Sequence, residues 1–177
     1  MFPRTHLTPE IRKLLEQRKI HQAYLLAIKQ NPPDSPFFGV SEENMAGAAK
    51  ATTPALSFCS KEQLFELQTV LALWYADCGI SIRRDLKWKH PMPPLTAFKT
   101  LLTAYQIKFN LSEWRRNGIV LRVAVRNSIT GTCPCCAAMA GEYDIKDVPA
   151  PPYPGCTNTD RGCCCIIVGT EIKKTNP

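Results

Sequence analysis

The sequence predicts an α+β fold, with a helical domain at residues 1–118 followed by a small antiparallel β module at residues 119–177. Apolar residues recur at helical spacing through most of the first two-thirds of the chain, and from residue 119 they alternate with polar ones. The cysteines set the module apart, because seven of the nine lie in the last 45 residues. A hydrophobic content of 45% is enough to form a core.

The first domain begins with a predicted helical hairpin over residues 8–30. Thr8 is suited to cap the helix, and Pro9 is suited to its first position. Apolar residues then continue at helical spacing, with a break near Arg18 that divides the segment into two helices.

Two further long helices are predicted in this domain. Ser60 and Gln63 have the spacing of a capping box at the start of one, and Gly79 is suited to its C-terminal cap. The other covers residues 95–109 and is followed by a separate short turn that Gly118 ends. The first domain is therefore expected to be a helical body with an aromatic and aliphatic core.

Three short strands are predicted in the β module. In residues 119–126 the odd positions are apolar, whereas Arg122 and Arg126 fall on the other face, as in a half-buried strand. Residues 141–145 and 164–172 are the other two candidates. We expect them to form one antiparallel sheet with cysteines at the strand ends.

The cysteines form two clusters, Cys133-Pro134-Cys135-Cys136 and Cys156 followed by Cys163-Cys164-Cys165. A C-x-x-C turn next to a second cysteine group is typical of a tetrahedral thiolate site for Zn²⁺. About 60 residues with three short strands bury little apolar surface, so an ion would replace the missing core. Cys156 and one or two of the last three cysteines would complete the ligands. An iron–sulfur cluster is the alternative, because the segment has spare thiolates.

These motifs resemble a known family. The run Cys133-Pro134-Cys135-Cys136, a glycine with an aromatic soon after at Gly141 and Tyr143, then P-P-Y-P-G-C ending at Cys156, and a final cysteine group resemble the C-terminal module of phage Mu F-like minor head proteins. The resemblance covers residues 119–172. The family's histidine before the third cysteine is Tyr153 here, an insertion separates Cys156 from the last cysteines, and Cys164 stands where the family has arginine.

The resemblance implies Cys133, Cys136, Cys156 and Cys165 as the metal ligands, with Cys163 as the alternative to Cys165. It implies a non-enzymatic structural protein of a phage or prophage, in the minor head, neck or tail. Its partners would be other capsid or tail subunits, with DNA as a further contact. The expected location is the virion or the bacterial cytoplasm.

Charge supports a second hypothesis, a small zinc-containing nucleic-acid-binding protein. The formal charge is +7, and four thiolates bound to Zn²⁺ would lower it to about +5. Arg122 and Arg126 would lie on one strand face. No aromatic residues are interleaved with the basic ones as in single-strand binders, so a solvated surface is the preferred explanation of the charge.

Enzymatic activity is not expected. The three histidines, His6, His21 and His90, lie at no recognisable spacing from a cysteine or aspartate. The chain has no H-E-x-x-H, no phosphate-binding glycine loop and no G-x-S-x-G, and nothing indicates a small-molecule substrate. The first residues lack the apolar segment of a signal peptide, and no apolar run reaches membrane-spanning length.

Overall fold

The computed structural model describes residues 7–30, 46–75, 87–127, 133–156, 163 and 165–173. The chain forms two compact units, the first from residues 1–51 and 59–89 and the second from residues 52–58 and 90–177. This division differs from the predicted boundary at residue 118, because the helix before that residue belongs to the second unit.

The first unit contains helices α1 (Pro9–Glu16), α2 (Ile20–Gln30) and α3 (Lys61–Tyr75). The hydroxyl of Thr8 accepts a hydrogen bond from the Ile11 amide at 3.4 Å, which confirms the expected cap. The predicted break is also confirmed, since α1 and α2 are joined by a turn in which Arg18 has a φ of 58°. Both helices contribute to a core of apolar residues that also includes α3: Ile11, Ala23, Tyr24, Ala27 and Leu73.

Helix α3 begins at the predicted capping box. The Gln63 side chain accepts a hydrogen bond from the Ser60 amide at 2.7 Å, and the Ser60 hydroxyl accepts one from the Gln63 amide at 3.2 Å. This reciprocal pair satisfies two amides that the first turn of a helix leaves without partners. The C-terminal cap predicted at Gly79 lies outside the described residues.

The second unit contains a 3₁₀ turn, η1 (Pro54–Leu56), and a long helix, α4 (Pro94–Asn117). The interruption expected after residue 109 does not occur. Ser112 does not cap a new turn, because its hydroxyl donates to the Phe109 carbonyl at 2.8 Å within the helix. Gly118 ends α4 as predicted, with a φ of 61° and its amide donating to the Trp114 carbonyl at 3.0 Å. None of the described helices, α4 included, is long and apolar enough to cross a bilayer.

The sheet has three antiparallel strands in the order β2-β1-β3, which confirms the α+β prediction. They are β1 (Val120–Arg126), β2 (Gly141–Asp144) and β3 (Ile166–Ile172). One face of the sheet packs on α4. The core there consists of buried residues from α4, β1 and the segment after β2: Ile107, Leu111, Val120, Val123, Val125, Ile145 and Val148.

The alternation predicted for β1 is only partly correct. Val123 and Val125 are buried and both arginines are exposed, as expected. However, Leu121 is exposed and Val120 is buried, opposite to the predicted faces. The pairing of β1 with β3 shifts register on both sides of Arg122, and such an irregularity changes which face the side chains before it occupy.

The left-handed conformation of Gly118 gives a testable prediction about stability. A Cβ added at this position would have no heavy atom within 4 Å, so a substitution changes only the backbone energy. We expect Gly118→Ala to lower the free energy of unfolding by about 1 kcal/mol. We expect Gly118→Asn to lose less, since asparagine tolerates this conformation better. Urea denaturation measures both, and an equal loss in the two variants would contradict this explanation.

Candidate metal centre

The sheet brings the two cysteine clusters to the same end of β1. Val125 pairs with Gly141 of β2 on one side and with Ile167 of β3 on the other. The segment that contains residues 133–136 leads into β2, and residues 163–165 lead into β3. Because both neighbours run antiparallel to β1, their beginnings lie where β1 ends.

A short helix, α5 (Pro134–Ala138), holds the first cluster. Cys133 caps this helix, and its sulfur accepts a hydrogen bond from the Cys136 amide at 3.4 Å. Pro134 occupies the first helical position, where it leaves no amide unpaired. At Cys133 a backbone amide therefore donates to a sulfur of the C-x-x-C turn.

Three hydrogen bonds hold Cys156 and the proline-rich loop before it, residues 149–155. The Cys156 amide donates to the Tyr153 carbonyl at 3.0 Å, and the buried Tyr153 side chain donates to the Pro149 carbonyl at 3.3 Å. The Thr53 hydroxyl, next to η1, donates to the Pro152 carbonyl at 3.5 Å. Tyr153 therefore packs against the cysteines and supports the loop.

The sulfur atoms form two overlapping groups of three. Cys133, Cys136 and Cys156 make up the first triad, and Cys136, Cys163 and Cys165 the second; within each triad all sulfurs lie within 4.8 Å of one another. The Cys156 sulfur is 3.8 Å from that of Cys133 and 3.9 Å from that of Cys136. These distances are nearly twice a disulfide bond of about 2.05 Å, so these sulfurs are not joined by disulfides. The cluster could therefore bind a metal ion.

All five predicted ligand candidates thus lie in one cluster. Cys133, Cys136, Cys163 and Cys165 are buried, and Cys156 is half-buried. Cys163 and Cys165 both contact the first triad, Cys163 through a hydrogen bond with Cys156 and Cys165 through one with Cys136.

The remaining cysteines have different positions. Cys135 is half-buried and packs against the cluster, but it belongs to neither triad. Cys59 lies in the first unit, where burial raises the pKa of its thiol to about 11. Cys59 is half-buried and belongs to neither sulfur triad. Cys78 and Cys164 lie outside the described residues.

The environment of the cluster favours thiols over thiolates when no metal is bound. Burial raises the pKa of Cys136 well above its ordinary value, and a hydrogen bond with Cys133 raises it further. For Cys163, a hydrogen bond with Cys156 lowers the pKa, but a hydrogen bond with Cys165 and burial outweigh it and raise the pKa to about 11. A metal ion must therefore displace protons from these sulfurs.

Two contacts of the cluster were not predicted. The Thr103 hydroxyl of α4 donates to the Cys163 carbonyl at 3.4 Å and holds the backbone before β3. The Cys165 thiol faces the Asn127 side-chain oxygen at 3.9 Å, just after β1. Continuing the alternation of β1 by one residue predicts that Asn127 lies on the same face as Val123 and Val125. No local pattern in the sequence predicts the contact of Thr103.

Comparisons with known proteins give no match: no protein-family model, no curated protein and no solved structure matches the chain.

The raised thiol pKa values give a prediction about pH. Cys136 and Cys163 are protonated in the metal-free protein at neutral pH, so binding releases their protons and affinity falls as pH falls. We expect the apparent Zn²⁺ affinity, measured against a chromophoric chelator, to fall by about tenfold or more per pH unit between about pH 8 and 6. Ligands that were already thiolates would give a flat profile, which would contradict this view of the cluster.

Proposed function

We propose that Cys133, Cys136, Cys156 and Cys165 bind a Zn²⁺ ion, with Cys163 as the alternative fourth ligand. The sulfur–sulfur distances within the first triad carry this proposal, and Cys165 contacts that triad at Cys136. Four thiolates at Zn–S bonds of about 2.3 Å form a tetrahedron with edges of about 3.8 Å. The Cys156 sulfur stands 3.8 and 3.9 Å from two of its neighbours, so two of these edges match.

The same distances favour a single ion over the iron–sulfur cluster that the sequence left open. In a four-iron cluster each thiolate binds a different iron, which holds the ligand sulfurs farther apart than around one ion. Here three sulfurs from two sequence segments lie within 4.8 Å of one another, in each of the two triads. This spacing suits one ion bound by all of them.

A site of this kind supports a structural role. Four thiolates fill the tetrahedral shell of Zn²⁺ and leave no position for a reacting water. The ion would join α5, the proline-rich loop and the start of β3, three segments that otherwise share a small core. We therefore propose a non-enzymatic protein whose zinc maintains the second unit.

We propose that the protein is a structural component of a phage or prophage, in the minor head, neck or tail, present in the virion or in the bacterial cytoplasm. The resemblance of residues 119–172 supports this role. So does the surface of β3, where Ile166, Val168 and Ile172 alternate along one face and are 53%, 44% and 63% exposed. Within the described residues β3 pairs with β1 alone. An apolar face on an edge strand suits contact with another subunit.

The arginines of β1 give less support to nucleic-acid binding. Glu142 of β2 lies between them, 3.8 Å from Arg122 and 4.0 Å from Arg126. One carboxylate shared by two guanidinium groups halves the charge of this face, so it is not a basic stripe of the kind that binds a phosphate backbone. The charge of this face therefore favours the structural role over nucleic-acid binding.

The zinc proposal predicts about one tightly bound zinc per chain in protein purified without added metal. Elemental analysis measures the metal, and an absorption spectrum of the same sample separates colourless zinc from coloured iron. We expect Cys136→Ser to lose the zinc and to lower the thermal unfolding temperature of the protein, because Cys136 belongs to both triads.

Cys135→Ser is the matched control, since Cys135 is adjacent in sequence and packs on the cluster without belonging to a triad. It should keep its zinc and its unfolding temperature. Reduced wild-type protein without metal would overturn the zinc site, and iron in place of zinc would overturn the identity of the ion.

The virion role predicts that the chain is present in phage particles purified by density gradient from the strain that encodes it. We expect Val168→Asp to reduce incorporation about tenfold, because a charge on the apolar face of β3 opposes its burial in an interface. Leu95→Asp is the control, because Leu95 is 60% exposed in the same unit but lies on α4.

A DNA titration at several salt concentrations tests the other hypothesis. We expect affinity no tighter than about 10⁻⁶ M at physiological salt, as for non-specific binding. Absence from particles, together with tight, salt-dependent DNA binding that Arg122→Ala weakens, would replace the virion role with nucleic-acid binding.

A further inference from the structure

The described cluster contains one more cysteine than a tetrahedral site needs. Four sulfurs around one ion would all be mutual neighbours. Instead the five sulfurs form two triads that share Cys136, so Cys163 and Cys165 extend the cluster beyond the first triad. Any second position for an ion would lie on the side of the second triad.

We propose that the cluster has a second, weaker position for a thiophilic divalent ion, next to the zinc site on which this inference rests. The first ion has the ligands proposed above. The second ion is bound by Cys163 as a terminal ligand and by Cys136 and Cys165, which bridge both ions. A thiolate sulfur has more than one lone pair and can bind two ions at once.

Asn127 supplies a fourth donor for this second position. Its side-chain oxygen is 3.9 Å from the Cys165 sulfur. A sulfur and an oxygen bound to one tetrahedral Zn²⁺ stand about 3.6 Å apart, given bonds of about 2.3 and 2.1 Å. Asn127 directly follows β1, and β1 pairs with β3 at Arg126 and Ile166, so the position is built on the sheet.

Charge favours a second ion. The four thiolates of the first site with one divalent ion sum to −2, and five thiolates with two divalent ions sum to −1. Four of the five cysteines are buried, where uncompensated negative charge is costly. The second position should still be the weaker one, because its sulfurs are partly shared and its oxygen donor is neutral.

Native mass spectrometry of reduced protein in excess zinc tests the stoichiometry. We expect two ions per chain for the wild type, one for Cys163→Ser and one for Asn127→Ala. Cys135→Ser should keep two, which excludes general binding to surface thiols.

Co²⁺ titration gives an independent readout of the bridge. The first equivalent should give a paramagnetic resonance signal, and the second should reduce it, because bridging thiolates couple the two ions magnetically. A signal that doubles instead would overturn the bridge.

The outcomes separate this inference from the zinc site itself. One ion in the wild type at saturation, or two ions in Cys163→Ser, would overturn the second position and leave the zinc site intact. No ion in the wild type would overturn both.

Discussion

Strand β1 hydrogen-bonds to β2 on one edge and to β3 on the other, and this double pairing determines where the cysteines of the second unit meet. A slip of one residue in either ladder would move a neighbouring strand by about 3.3 Å. That shift is close to the 3.8 Å that separates two of the cluster's sulfurs, so it would separate them. Packing of Tyr143 of β2 and Ile167 of β3 on the core opposes such a slip, because a shift of one residue would turn these side chains to the other face of the sheet. The core and the sulfur cluster therefore depend on the same register.

Those parts of the fold that local chemistry controls could be predicted from the sequence. The capping box at Ser60 and Gln63, the turn near Arg18 and the helix end at Gly118 each rest on residues within a few positions of one another. Tertiary packing decided the rest. Helix α4 continues through Ser112 because Ile107 and Leu111 extend its buried face, and the irregularity at Arg122 comes from pairing with β3. Neither the core that α4 packs against nor the pairing with β3 can be predicted from the residues close in sequence.

The candidate site shows the same limit. The spacing of the cysteines predicted the five that cluster, because each of the two cysteine groups is a short local pattern in the sequence. It could not reveal that Thr103 holds the Cys163 carbonyl, since 60 residues separate the two. Nor could it reveal that Tyr153 is a buried packing residue whose hydroxyl has a hydrogen-bond partner. Such contacts depend on how α4 and the proline-rich loop pack, which periodicity does not encode.

The second unit is discontinuous in sequence, and this has a consequence for synthesis. Residues 52–58 belong to it, yet residues 59–89 of the first unit follow before the chain returns. Thr53 is 99 residues before its partner Pro152. At translation rates of about 5–20 residues per second, the segment leaves the ribosome roughly 5–20 s before the loop that it binds. During that time the first unit can complete its own helices, whereas η1 has to wait for a partner that the ribosome has not yet made.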